Sequence, residues 1–289
     1  MLGVLGDEWT LLIIQRALLG STRYNDFVAA LPISDSVLTG RLRSLVAADL
    51  LARRQYQTHP PRWEYALTAR SRSLWPMLMS IWEWERRWVP AHVEPLPAMC
   101  HGLCGSEFSP LVTCQACRAT ATEKDVVAQW GPSGSWSRSV PATTNRRRSA
   151  TRRGRAGLLF PQTMSVIGDR WAFALLVGTF VGLTRFTDFR SQLGAPPGTV
   201  ADRLALFAAD GILVNARGRY QLTEKGRGFF PVLVTALRWA QLWYPAPEGP
   251  AVQLTHAGCG GPFIPVLVCD QCATELRGAQ VIAVHPLPE

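Results

Sequence analysis

The pattern His-x2-Cys-x9-Cys-x2-Cys occurs twice, as His101, Cys104, Cys114, Cys117 and as His256, Cys259, Cys269, Cys272. Two such clusters at one spacing, 155 positions apart, mark an internal duplication. The same shift lays Tyr65, Leu67 and Thr68 on Tyr220, Leu222 and Thr223, and Pro76, Trp84 and Trp88 on Pro231, Trp239 and Trp243. Further upstream the offset is 162: Gly6, Asp7 and Trp9 meet Gly168, Asp169 and Trp171, Arg23 and Phe27 meet Arg185 and Phe189, and Arg41-Leu42 meets Arg203-Leu204. The difference is the segment Gln55 to Pro61, which copy two lacks. Insertions settle in exposed loops, because buried backbone has no room for extra polar groups. The fold must therefore be one that works twice.

Apolar spacing sets the elements of copy one. Leu2, Leu5, Trp9, Leu12, Ile13 and Leu19 recur at helical intervals and Gly20 stops the run. Arg23 to Ala30 predicts a short second helix burying Phe27 and Leu31, and Ser34 or Ser36 can cap a third that runs to about Leu51. Three helices with tight turns form a helix-turn-helix unit. The period then changes. Leu51 to Tyr56 and Arg62 to Leu67 predict two strands around Pro60-Pro61, a β-wing, and Leu74 to Trp88 predicts a long Trp-rich helix. Copy two repeats the plan with helices over 161–181, 185–193, 199–210 and 224–243 and a minimal wing over 213–222. The fold class is mainly α with small β-wings: two tandem winged helix-turn-helix domains, each followed by a small zinc-ribbon-like Cys/His segment. Residues 1–125 form module one, 126–160 a linker, and 161–289 module two.

Charge sharpens that division. Of the net +9, residues 1–125 hold 13 basic and 12 acidic side chains, residues 161–289 hold 10 and 9, and residues 126–160 hold 7 Arg and no acid. The connector is therefore expected to be an Arg-rich flexible tether, and Arg153-Gly154-Arg155 within it has the core of a minor-groove arm. At 289 residues two modules of about 100–150 residues each are expected, each with its own core. No apolar run reaches the ~18 residues that span a bilayer, and the start lacks the pattern of a signal peptide. The usage of 28 Arg against 2 Lys suits a GC-rich bacterial genome. A cytoplasmic, nucleoid-associated protein follows, in which thiols stay reduced and clustered cysteines hold metal or do redox chemistry.

The runs Gly6 to Ile14, Arg23 to Phe27, Leu38 to Leu45 and Tyr65 to Thr68 resemble the HxlR-type winged-helix transcription regulators, relatives of the MarR group. The resemblance covers residues 1–90 well and 161–245 less closely. It implies a dimeric bacterial regulator that places its third helix in the major groove of double-stranded DNA. Members usually carry one module per chain, so two modules imply either a homodimer or an intramolecular pseudo-dimer. Copy one begins inside its first helix, whereas copy two has a lead-in from Pro161 of the kind that contributes to dimerisation. Some members sense oxidants or electrophiles through cysteine, and a small-molecule effector is a further expectation.

On the third helix Leu38, Leu42 and Leu45 must face the core, which leaves Ser34, Ser36, Thr39, Gly40 and Arg43 for DNA. Copy two buries Val200, Leu204 and Phe207 and turns Gly198, Ala201, Asp202 and Ala205 outward, a face without a cation and with an acid where phosphates would lie. Copy one is thus expected to read DNA and copy two to supply a pairing surface. In the wings Arg53, Arg54 and Arg62, with Arg217 and Arg219 on a shorter loop, suit phosphate or minor-groove contact. Arg41 and Arg203, beside core leucines, suit pairing with a local carboxylate instead.

Zinc in a structural site takes four tetrahedral Cys or His ligands. His101, Cys104, Cys114 and Cys117 complete such a set in copy one, with Cys100 as a possible substitute for the histidine, and His256, Cys259, Cys269 and Cys272 complete one in copy two. One structural zinc per module is the expectation, with cysteine-based redox sensing as the rival and buried thiols third. Trp82, Trp84, Trp88, Trp239 and Trp243 suit packing of long helices more than the lining of an effector pocket. No paired acids, nucleophile–base set or phosphate loop suggests an enzyme. A protein-interaction adaptor built on degenerate winged helices remains the alternative.

Overall fold

The computed structural model describes residues 7–90, 92, 96–134, 160, 162–167 and 170–284. The arginines between 138 and 155, and with them the candidate minor-groove arm, lie outside the described residues, as do residues 1–6.

Copy one opens with α1 (Glu8–Leu18), whose N-cap Asp7 accepts the Thr10 backbone N–H at 3.0 Å. Then come α2 (Tyr24–Ala30) and α3 (Asp35–Ala47). Leu38, Leu42 and Leu45 are buried as their spacing requires. Ser34 is the N-cap residue of α3 but makes no capping bond with its side chain. The wing is β1 (Leu51–Gln57) paired antiparallel with β2 (Arg62–Leu67), with a bulge between Gln55 and Gln57. One turn of helix, α4 (Ala69–Arg72), is capped reciprocally by Thr68 and Ser71 and leads into α5 (Trp75–Trp88). Three strands follow: β3 (Ala98–His101), β4 (Pro110–Cys114) and β5 (Val126–Trp130).

Copy two opens with α6 (Thr163–Ile167) and α7 (Arg170–Phe180). Then come α8 (Phe186–Leu193), α9 (Pro197–Ala209), the wing β6 (Leu213–Ala216) with β7 (Arg219–Leu222), α10 (Glu224–Arg227) and α11 (Phe230–Trp243). The last strands are β8 (Val252–His256), β9 (Pro265–Cys269) and β10 (Val281–Val284).

Two expectations need correction. Residues 126–130, assigned above to the linker, are strand β5, whose Val126 to Trp130 pair with His256 to Val252. The ribbon strands also do not pair within their own copy. β3 pairs with β10, β4 with β9 and β5 with β8, all antiparallel and all across the duplication. The register carries a pseudo-two-fold axis: Val112 lies opposite Leu267, its own counterpart, while His101 faces Val281 as His256 faces Val126. Each copy thus satisfies the other's unpaired strand edges.

The long helices obey the same symmetry. Trp84 donates its indole N–H to the carbonyl of Lys225 at 3.0 Å, and Trp239 donates to the carbonyl of Arg70, the counterpart of Lys225, at 2.9 Å. Trp84 also meets Phe229 edge-on at 5.0 Å. Trp243 donates to the Ser73 hydroxyl at 2.7 Å, whereas the counterpart of Ser73 is Gly228, where a Cβ would stand 2.6 Å from the Trp88 indole nitrogen. One apolar cluster runs from Leu11 and Phe27 through Trp84 to Phe229 and Phe207, so the copies share a core rather than owning one each. A second cluster, with Met79, Trp82, Val112, Phe230 and Leu267, lies beneath the ribbon.

Candidate metal centres and nucleic-acid interface

The ribbon determines which ligands meet. Each His-x2-Cys turn is closed by a left-handed glycine, Gly105 or Gly260, whose N–H reaches back to the histidine carbonyl at 2.8 Å. Each Cys-x2-Cys turn is closed by a left-handed residue one place later, Arg118 or Ala273, bonded to the first cysteine's carbonyl. These turns sit at strand ends, and because the strands cross between copies the turns do too. His101 and Cys104 converge with Cys269 and Cys272, and His256 and Cys259 with Cys114 and Cys117, the four ligand atoms of each group lying within 4.8 Å of one another. The expectation of one complete site within each module is therefore wrong. Each module supplies half of two sites, since identical spacing in the two copies cannot say which half meets which. Cys100 belongs to neither group.

The geometry suits a tetrahedral ion. Zn–S bonds of about 2.3 Å and Zn–N bonds of about 2.0 Å imply S–S edges near ~3.8 Å and S–N edges near ~3.5 Å. Cys104 Sγ lies 3.9 Å from Cys269 Sγ and 3.6 Å from His101 Nδ1, and Cys272 Sγ is 3.3 Å from that nitrogen. In the other group His256 Nδ1 is 3.3 Å from Cys117 Sγ and 3.4 Å from Cys259 Sγ. Both histidines are buried. One cysteine of each knuckle is held towards thiolate: hydrogen bonds from Thr274 hold Cys272 down to about 6. Burial pushes the Cys114 thiol up, yet N–H donors from Cys117 and Ala116 leave it below the ordinary cysteine value. Cys269 receives the equivalent N–H bonds from Cys272 and Gln271, but there burial prevails and the thiol stays above it. Were a tetrahedral ion held here, the four side chains of either group would fill its positions, a donor set that leaves none open for water.

The third helix of copy one offers the surface its sequence suggests. Ser34, Ser36, Gly40 and Arg43 are exposed and Thr39 is half-buried. Among the described residues nothing pairs with Arg43, whereas Arg41 is tied to Asp7 at 2.9 Å, the structural role expected of it. Tyr24 positions the helix: its hydroxyl donates to Asp35 Oδ1 at 2.9 Å and lies 3.4 Å from Thr39 Oγ1. Arg53, Arg54 and Arg62 are exposed on the wing, with Arg53 stacked over the Trp63 ring at 4.1 Å. Arg217 and Arg219 are exposed on the other wing, a tight two-residue turn in which Arg217 and Gly218 both have positive φ.

Position by position, copy two has lost this polar set. Tyr24, Asp35, Thr39 and Arg43 correspond to Phe186, Pro197, Ala201 and Ala205, and Gly40 corresponds to Asp202. Asp202 is exposed on α9, where Val200, Leu204 and Phe207 are fully buried.

Sequence reasoning passed over one buried network. Glu85 on α5 is fully buried and accepts the backbone N–H and the hydroxyl of Thr163, both at 2.7 Å, with His92 Nε2 at 3.4 Å. Burial pushes its carboxyl above the ordinary range. Nearby, Lys225 bonds Gln162 and Ser165 donates to Asp210. The lead-in helix α6 is thus fastened to copy one through Glu85 and to the rest of copy two through Lys225 and Asp210. Of the tryptophans considered as a pocket lining, Trp82, Trp84 and Trp239 are buried in helix packing. The cavity enclosed by α7, α11 and the β5–β8 pair is about 20 Å³, room for one water.

Comparison with known proteins agrees with the architecture. The model of the HxlR-like helix-turn-helix family matches residues 4–93 and again 166–248. An uncharacterized HTH-type transcriptional regulator of Mycobacterium tuberculosis, Rv3095, is 32% identical over 127 residues, covering 42% of this chain and 80% of that protein. The regulator YvaP of Bacillus subtilis is 36% identical over 87 residues, covering 30% of this chain and 81% of its own. Among solved structures, the redox regulator HypR in its oxidized form shares 33% identity over 30% of this chain and 90% of its own, at a TM-score of 0.28. No described helix is long and apolar enough to cross a membrane. With the family's model matched once in each half, the chain belongs to the HxlR-like helix-turn-helix transcriptional regulators and carries their module twice.

Proposed function

We propose that a single chain serves as the dimer of this family and reads DNA with one of its two heads. In this reading α3 of copy one enters the major groove, where Ser36, Thr39 and Arg43 meet base edges and Ser34 a phosphate, while Arg53, Arg54 and Arg62 of the wing lie along the adjacent backbone. Copy two supplies the pairing surface, and Arg217 and Arg219 add a weaker backbone contact. Two structural zinc ions, each held by ligands from both copies, fix the distance between the heads. The observation that carries this is the residue-for-residue divergence of two equivalent helix faces, one hydroxylic and cationic, the other small and acidic. A duplex approaching Asp202 meets like charge and gains nothing from counterion release there. An operator read this way is lopsided.

The test is DNA selected from a random pool by the wild-type chain, then bound by two variants. Arg43→Ala should lose roughly 1–3 kcal/mol of specific binding, the worth of a good base contact. Asp202→Ala should leave the specific Kd within about twofold of wild type, because no contact is removed. Equal losses for the two would show that both heads read.

A further inference from the structure

The wing of copy one carries a feature its counterpart lacks. Gln55 pairs with Trp63, so Arg53, two residues back on β1, is the diagonal neighbour of Trp63 on the same face. Its guanidinium carbon lies over the indole, 4.1 Å from the ring centroid. At the wing bulge Tyr56 is held in the same manner under Arg23, at 4.7 Å. Trp63 and Tyr56 are 38% and 39% exposed, so neither is a core residue. Both line an open cleft between the start of α2 and the wing, together with Arg23 and Arg62. In copy two the counterparts of Arg53 and Trp63 are Asn215 and Gly218, and Gly218 sits at a positive φ that L side chains rarely adopt, so the tight turn offers no aromatic for a cation to stack on. The stacked pair is absent where the reading face is absent.

We propose that Trp63 is a positioning residue for DNA recognition: it holds the Arg53 guanidinium in one plane, N–H edge outward, for a backbone phosphate beside the site of α3. An arginine held against DNA must surrender its rotamer freedom, and stacking on a rigid ring removes that cost before the duplex arrives. The indole adds no charge. Its effect on binding therefore runs through Arg53 and leaves the count of neutralised phosphates untouched. This rests on the reading that copy one engages DNA.

The experiment is a double-mutant cycle on the full chain, with the selected DNA and Kd followed across salt concentrations. Trp63→Ala should weaken binding about two- to fivefold, the worth of one exposed cation–π pair, with an unchanged salt slope. Arg53→Ala should weaken binding and also lower the slope by about 0.9. In the Arg53→Ala background Trp63→Ala should have no further effect, and Trp63→Phe should retain most of the affinity. A Trp63→Ala loss of the same size with and without Arg53, or no loss while Arg43→Ala still weakens binding, overturns the proposal alone. An Arg43→Ala variant that binds like wild type overturns the copy-one reading and this proposal together.

Discussion

Glu85 and Ala240 occupy the same place in the two long helices, and the difference between them is a buried carboxylate at the centre of the molecule. The two hydrogen bonds from Thr163 favour the charged form, and so do His92 and Lys225, but burial outweighs them and the folded carboxyl holds its proton more tightly than the unfolded one. The sign follows from that. The stability it contributes is complete below the unfolded carboxylate value near ~4.3 and is lost as pH rises through the higher folded value. Glu85→Gln keeps an oxygen for Thr163 and has no proton to lose. Lys225, itself held below its ordinary range by burial, still has Asp210 beside it. Urea midpoints of wild type and Glu85→Gln should therefore converge near pH 4 and separate as pH rises towards 8, with the variant the more stable. Parallel curves across that range would mean that the folded carboxyl is not shifted.

At the level of elements, ligand spacing along the chain and ligand grouping in space are different kinds of information. The helices, the wings and the buried trio Leu38, Leu42 and Leu45 were legible because apolar period dictates them, and Arg41 because it lies beside core leucines. The eight Cys and His residues that gather into the two groups were legible too. Their partnership was not, since a hook and a knuckle of equal spacing in both copies permit either wiring, and only strand pairing decides. Strand β5 was hidden for a related reason: its five residues adjoin the Arg-rich connector and took on that segment's character. Glu85 gave no signal, being one of two acids on a tryptophan-rich helix. The exchanged wiring has a sharp consequence. Cys104→Ser with Cys272→Ser damages one site and spares the other, so the protein should bind one Co(II) with tetrahedral thiolate absorption. Cys104→Ser with Cys114→Ser damages both and should bind none tightly. Wiring within each copy gives the opposite pair of results, so the stoichiometry of these two variants decides between them.

For the whole molecule, the question is whether pairing within a chain survives competition from pairing between chains. Three strand ladders, two shared ligand sets and the reciprocal Trp84 and Trp239 bonds all join copy one to copy two of the same chain. The covalent connection between β5 and α6 makes that closure intramolecular, and linkage of this kind gives effective concentrations up to the order of millimolar. A second chain at micromolar concentration cannot match it, and exchange would have to open both Cys/His groups and the shared core at once. Glu85 adds discrimination, because its partner Thr163 belongs to the lead-in of copy two, and copy one paired with itself would leave a buried carboxylate without those two donors. A regulator built this way should sediment as a single 31.9 kDa chain and occupy its operator one chain at a time. The operator should hold one strong half-site flanked by a weak or absent one. Sedimentation of the protein–DNA complex together with the selected sequence tests this directly. Two chains on a palindrome would show instead that copy two pairs between molecules, and that the duplication built a larger assembly rather than a self-contained one.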